Sequence, residues 1–408
     1  MPDKSRIALI CILGMFAGFL VSRVALSVAM FLFGINAIRD VSPREWLKQK
    51  WWLLGLSWVA FYAVSGFWSE NMHEWGLHLQ TKLPFLLLPL AFAFQPRFSD
   101  RQITVLTLGL GAMLVAAAMY SVSFFLLDPE YYIQEYHIAH MLPTLPGKDY
   151  IRSSLTMALF IIWCVYAWPR LAPGKARIAA GIAVGILVVY LHVLAAKSGL
   201  VSLYFFMVAY GLYITVARRK IAGLIMIVSL PFVGFLAMRA IPTFRERMHF
   251  IDFTYFMLKR GDASGNIGDI ARIMSYKLAF VAIAGHPVGG VGAGDMKDEI
   301  DKLYAARYPQ VPEHGRLLPH NQALIVAIGC GIPAMLLFIA WVAAPLARLR
   351  RNRQSFFFFI VWLILLLQLM IEPVLEVQFG VFVYLFFLLL QLGELRNSHE
   401  PENPGVVE

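Results

Sequence analysis

The chain has 408 residues, of which 59% are hydrophobic and only 15% charged, with a formal net charge of +10. Soluble domains carry nearer a quarter charged residues, and a water-soluble chain of this length needs enough polar surface to coat two or three domains. The mean hydropathy of +0.67 and the long uncharged runs exclude that class, and with it disorder, collagen-like repeats and a disulfide-stapled secreted scaffold. Composition therefore predicts an all-α, polytopic integral membrane protein.

A membrane span needs about 20 mostly apolar residues. Twelve runs qualify as candidates: 7–21, 24–38, 51–68, 83–95, 102–127, 152–168, 178–196, 199–217, 221–241, 321–346, 355–371 and 379–393. The first two flank Arg23 and read either as two short spans or as one long kinked helix. Met1 to Arg6 followed by an apolar run is similar to a signal peptide, but no small-x-small cleavage site follows, so a retained anchor is expected. Cys11, Cys164 and Cys330 all sit inside apolar runs without a C-x-x-C pair, which makes them buried small hydrophobes rather than metal ligands.

Lysine and arginine asymmetry sets the expected orientation. With the N-terminus in the cytoplasm, the inside segments hold clusters such as Arg39, Arg44, Lys48 and Lys50, or Arg348, Arg350, Arg351 and Arg353. The short outside segments hold only Arg23, Lys82, Lys148, Arg152, Lys197 and Arg239. The basic balance is thus mainly a topology signal and not a nucleic-acid patch.

Residues 242–319 break the pattern with ordinary polar composition on the outer side, and loops this long are functional or form small domains. Three helices are expected there. Residues 242–259 are amphipathic. Residues 269–284 follow a Gly/Asn/Asp stretch and stop at His286–Pro287, and residues 296–307 end at Tyr308–Pro309. A shorter outer loop, 128–150, is rich in Tyr, His and Pro. The expected organisation is a bundle over 1–241, a helical outer loop over 242–319, three further spans over 320–393 and a cytoplasmic tail over 394–408.

Span centres hold almost no ionisable groups, whereas ion-coupled transporters keep them there. Chemistry is expected instead at the outer ends of the spans. Lys197 occupies a turn between two spans, where it either snorkels or faces an anionic headgroup. Arg272 lies among Ile270, Ile273 and Met274, an apolar setting that suits a structural ion pair or a substrate contact. The run His286-Pro-Val-Gly-Gly-Val-Gly-Ala-Gly-Asp295 is either a tight turn or a loop whose amides cradle phosphate. Pro319 suits the first turn of a helix, placing His320 at a helix N-terminus that disfavours imidazolium, where a neutral histidine is either structural, the commoner case, or able to act as a base.

Gly285-His-Pro-Val-Gly-Gly-Val-Gly-Ala-Gly-Asp295, followed about 25 residues later by Leu318-Pro-His-Asn-Gln322, resembles the O-antigen ligase family, as does Leu194-Ala-Ala-Lys-Ser-Gly-Leu200 before a span. The resemblance covers roughly 150–345, and Tyr150-Ile-Arg-Ser-Ser-Leu155 looks like the version in Bacteroidota-type members. It implies an inverting glycosyltransferase needing neither metal nor cofactor, in the bacterial inner membrane with its site facing the periplasm. Such enzymes move a glycan from undecaprenyl diphosphate to an acceptor hydroxyl, commonly on lipid A-core. On this resemblance His320, Arg272 and Lys197 are the catalytic residues. Arg272, Lys197, Arg152, Arg316, Gly290, Gly292 and Gly294 are the donor-diphosphate contacts. Lys197 stands where the family usually has arginine, which keeps the charge but loses the bidentate fork. A polysaccharide polymerase of the same superfamily and a lipid-linked glycan transporter are the alternative readings.

Overall fold

The computed structural model describes residues 3–138, 140–147, 149–260 and 268–397. Lys148, residues 261–267 of the Gly/Asn/Asp stretch and residues 398–408 of the expected tail lie outside the described residues. Eighteen α-helices follow in order: α1 (Lys4–Val21), α2 (Arg23–Ile38), α3 (Pro43–Leu47), α4 (Lys50–Val64), α5 (Met72–Lys82), α6 (Pro84–Ala93), α7 (Asp100–Leu127), α8 (Pro129–His137), α9 (Tyr150–Ala167), α10 (Lys175–Leu194), α11 (Lys197–Ala217), α12 (Ala222–Ala240), α13 (Pro242–Arg260), α14 (Gly268–Gly285), α15 (Met296–Arg307), α16 (Gln322–Ala343), α17 (Arg353–Ile371) and α18 (Gln378–Asn397). There is no strand among the described residues, and the protein is an all-α polytopic membrane protein.

Each of the twelve apolar runs forms a helix. Nine of them, α1, α7, α9, α10, α11, α12, α16, α17 and α18, are long and apolar enough to cross a membrane. The other three, α2, α4 and α6, have 16, 15 and 10 residues. At about 1.5 Å per residue these three fall short of a 30 Å hydrocarbon core, so the twelve candidate spans comprise nine long helices and three short ones. Ser22 answers the question left at Arg23: its extended backbone (φ −156°, ψ 124°) separates α1 from α2, so two helices replace one kinked one. The three helices expected in the long polar segment form as α13, α14 and α15, within about a residue of the boundaries read from proline and glycine.

The chain divides into two compact units. Unit 1 comprises residues 1–32 and 96–260 and holds α1, α7–α13 and the start of α2. Its longest helix, α7, starts at a capping box in which the Ser99 side chain accepts from Gln102 N and the Gln102 side chain accepts from Ser99 N. Unit 2 comprises residues 33–95 and 261–408 and holds α3–α6 and α14–α18. Its aromatic centre gathers Trp58, Phe85, Phe338 and Trp341, with ring centroids 5.1–6.4 Å apart. A second core cluster in the same unit joins Leu278, Ala279 and Ala282 of α14 to Met296, Ile300 and Tyr304 of α15 and to Ile325 and Ile328 of α16. Burial of these apolar side chains, at about 25 cal/mol per Å², fixes α14 on the first turns of α16 and so sets the frame for the site.

Candidate functional site

The long polar segment meets α16 through the glycine run, and the cause lies inside α16. Pro333 has no N–H, so the Gly329 carbonyl has no partner one turn on. Gly331 leaves the helix altogether, at φ 84° and ψ 171°, and a Cβ there would stand 2.0 Å from Val288 O. The carbonyls freed by this kink are taken by the loop: Val291 N donates to Ile328 O (2.8 Å) and Gly292 N to Gly329 O (3.1 Å), while Ile332 N donates to Pro287 O (2.8 Å). Gly290 N donates to His286 O (3.0 Å), and Gly294 N to Ser69 Oγ (3.2 Å). The amides of Gly290, Gly292 and Gly294 therefore already have partners within the protein. Asp295 closes the run by accepting from Glu70 N (2.9 Å) and Asn71 N (2.8 Å), which anchors the turn that opens α5.

His320 sits just ahead of α16. The helix begins three residues after Pro319, with Asn321 as its N-cap accepting from Ala323 N (3.0 Å) and Leu324 N (3.2 Å). Pro319 is thus outside the first turn, contrary to the sequence expectation, because the asparagine side chain supplies the start signal. Tyr276 of α14 donates from Oη to His320 O at 2.8 Å, which ties the histidine backbone to the helix carrying Arg272. Burial pushes the Tyr276 hydroxyl above its ordinary value, with Arg272 opposing and Glu372 adding, so it remains a neutral donor.

Arg272 and His320 meet at one carboxylate. Arg272 Nη2 donates to Glu372 Oε1 at 3.0 Å, and His320 Nδ1 lies 3.2 Å from Glu372 Oε2. Glu372 is 11% exposed, against 35% for Arg272 and 20% for His320, so a nearly buried acid holds two partly open groups. Sequence reasoning missed Glu372. Its signal was present in Glu372-Pro-Val-Leu-Glu376, two acids between apolar runs, but neither has a basic neighbour along the chain.

Glu376 explains why Glu372 stays in place. It accepts from Lys82 Nζ (2.9 Å) and Gln322 Nε2 (2.6 Å), and His78 Nδ1 lies 3.0 Å from its other oxygen. Lys82 is fully buried and also donates to Leu375 O (2.6 Å), and Gln322 Oε1 accepts from Leu375 N (2.8 Å). Burial works against ionisation of Glu376. Lys82 and His78 outweigh it and hold the carboxyl well below the usual carboxylate range. The turn between α17 and α18 is thereby pinned to α5 and to the first turn of α16.

Within unit 1, α9 and α11 start side by side. The Gly199 Cα approaches so closely that a Cβ would stand 2.5 Å from Ser154 Cβ, and Ser198 Oγ meets Ser154 Oγ at 3.0 Å. That contact needs the small pair Ser198–Gly199, and it puts Lys197 at the first position of α11 and Arg152 in the first turn of α9. Lys197 is exposed, and Ala195 turns the chain into it with a left-handed φ of 51°. Two cations at helix N-termini oppose the macrodipole, a placement suited to an anion and not to a helix cap. Arg152 pairs with Asp149 at 3.2 Å.

Arg316 has a different setting in unit 2. It lines a cavity of about 660 Å³ together with Glu70, Asp295, Asp298, Glu299 and Asp301. Those carboxylates repel a diphosphate. Among the described residues no group of three or more His, Cys, Asp or Glu is arranged to hold a metal ion.

Residues 193–339 match a family model described as O-antigen ligase. The matched stretch contains Lys197, Arg272, the glycine run, Arg316 and His320, whereas Arg152 and Glu372 fall outside it. No curated protein matches the chain.

Proposed function

We propose, from the match of residues 193–339 to the family model described as O-antigen ligase, that this membrane protein is an inverting, metal-independent glycosyltransferase acting on lipid-linked glycans and glycolipids. It moves a polysaccharide of the O-antigen type from undecaprenyl diphosphate to lipid A-core or a similar acceptor, at the periplasmic face of the bacterial inner membrane. The observation that carries this reading is the Arg272–Glu372–His320 arrangement, a cation and an imidazole held on one carboxylate.

In the proposed reaction the acceptor hydroxyl oxygen attacks the anomeric carbon of the donor from the face opposite the diphosphate. The new C–O bond forms as the bond to the diphosphate breaks, the electron pair leaves with the phosphate oxygen, and the acceptor proton passes to His320. Glu372 beside Nδ1 favours the tautomer that carries its proton there and leaves Nε2 as the basic nitrogen, and it stabilises the imidazolium that forms. Arg272 offsets the charge that develops on the leaving phosphate. Lys197 and Arg152 enter as donor-diphosphate cations through the family resemblance and their place at helix N-termini. Arg316, in its acid-lined cavity, is the weakest of the four proposed cations, and the glycine loop serves to lock α16.

Transfer in vitro tests the proposal. Purified protein is mixed with lipid-diphosphate glycan and lipid A-core, and the product is resolved on a gel and by mass spectrometry. A glycan joined to lipid A-core supports it. Chain extension on the lipid diphosphate alone identifies a polymerase, and donor movement without a new glycosidic bond identifies a transporter.

A further inference from the structure

Unit 2 has a second concave site at the far end of the helices that carry His320 and Glu372. It lies where α16 ends and α17 begins. The 22 residues of α16, kinked at Gly331, separate the two by at most about 33 Å, of the order of a bilayer's hydrocarbon core. A cavity of about 460 Å³ opens there, lined by Arg348, Arg350 and Arg396, by the indoles of Trp51 and Trp52, and by an apolar floor that includes Leu392. Among the described residues no carboxylate lines it, in contrast to the acid-lined cavity beside Arg316.

The indoles are fixed. Trp51 Nε1 donates to Trp341 O (2.9 Å) and its ring stacks on Trp341 at 5.1 Å, while Trp52 Nε1 donates to Leu86 O (2.7 Å). Arg396 is held by the Ala93 carbonyl. Arg348 and Arg350 are exposed, and their side chains make no hydrogen bond or ion pair with the described residues. Snorkelling arginines normally spread outward into water. Here Arg348 and Arg350 line one concavity over an apolar floor, and two like charges on a surface without a carboxylate suit an anion. Tryptophan belongs at headgroup depth, and basic pockets between membrane helices suit phosphate-bearing headgroups.

We propose that this cavity binds an anionic phospholipid, with its phosphate on Arg348 and Arg350 and the start of an acyl chain on the apolar floor. The site is separate from the glycan-transfer site and does not depend on that reading.

The test uses the full chain, purified and delipidated in detergent, with dioleoyl phosphatidylglycerol, dioleoyl phosphatidylcholine and inorganic phosphate as probes, read by native mass spectrometry. Phosphatidylglycerol should be retained about tenfold more than phosphatidylcholine. That preference should vanish in Arg348→Gln/Arg350→Gln and persist in Arg348→Lys/Arg350→Lys, which keeps the charges if the glutamine variant folds poorly. Equal retention of the two lipids, or an undiminished preference in a folded glutamine variant, overturns the proposal. Millimolar inorganic phosphate binding as tightly as phosphatidylglycerol also overturns it, by showing a site for soluble phosphate compounds.

Discussion

Glu372 presents one oxygen to Arg272 at 3.0 Å and the other to His320 at 3.2 Å, so a single carboxylate sets the positions of two groups 48 residues apart, one on α14 and the other just ahead of α16. Replacing it by glutamine removes the negative charge beside His320 Nδ1. Glu372→Gln is expected to lower glycan transfer about 100-fold or more, and His320→Ala by about 10²–10⁴-fold, both with the protein folded. Initial rates with lipid-diphosphate glycan check this, and near-parental transfer by both variants would remove the base from the scheme.

Arg272 tests the charge argument. Loss of one preorganised donor to a developing oxyanion costs about 10²–10³-fold in kcat. Arg272→Ala should show that loss, and Arg272→Lys should fall between the two because it keeps the charge without the fork. For Lys197 the charge-keeping change costs less: Lys197→Arg should be tolerated, Lys197→Ala should not. Rates for the four variants at saturating donor give the ranking, and an Arg272→Ala protein as fast as the parent contradicts it.

Metal independence has its own check. Transfer should continue undiminished in EDTA. Activity that disappears in chelator and returns with Mg²⁺ or Mn²⁺ would require a different account of how the leaving diphosphate is stabilised.

The Lys82–Glu376 pair bears on stability. Lys82→Ala leaves the Glu376 carboxylate nearly buried with one cation removed, and breaking such a pair costs about 3–5 kcal/mol. Lys82→Met/Glu376→Leu, which removes both charges, should melt closer to the parent than the single variant does. The acid side has a defined sign. The folded Glu376 carboxyl is held below its ordinary value of 4.5, so its contribution is present above that value and is lost as pH falls toward the lowered one. The melting temperature of Glu376→Gln should therefore trail the parent's at pH 7, with the gap closing only below about pH 4.5. A gap that closes already between pH 7 and 6 would contradict the pairing.

The long helices were legible because lipid-facing and core-facing residues are both apolar, so a span announces itself as a run. The helices α13–α15 were legible from punctuation, since His286–Pro287 and Tyr308–Pro309 stop two of them. The break at Ser22 was legible only as one of two readings around Arg23, because no proline or glycine marks it. Arg272 and His320 could be singled out by their neighbours in the chain. Glu372, Glu376 and Lys82 could not, because what gives each its meaning is a partner far away in sequence, as with Lys82 and Glu376, 294 residues apart. The glycine run invited a phosphate reading for the same reason: nothing in its own letters says that Pro333 leaves the Gly329 carbonyl waiting for it.

That last splice has a mechanical consequence. Residues 328–332 lie six to ten positions into α16, about 9–15 Å beyond its start, so the tip of the loop reaches below the level of His320. Irregular backbone at such depth survives only while protein covers it, and withdrawing the loop would strand carbonyls and amides at several kcal/mol each. The loop is therefore a fixed wall and not a door, and a way in for the proposed glycan substrates has to lie elsewhere.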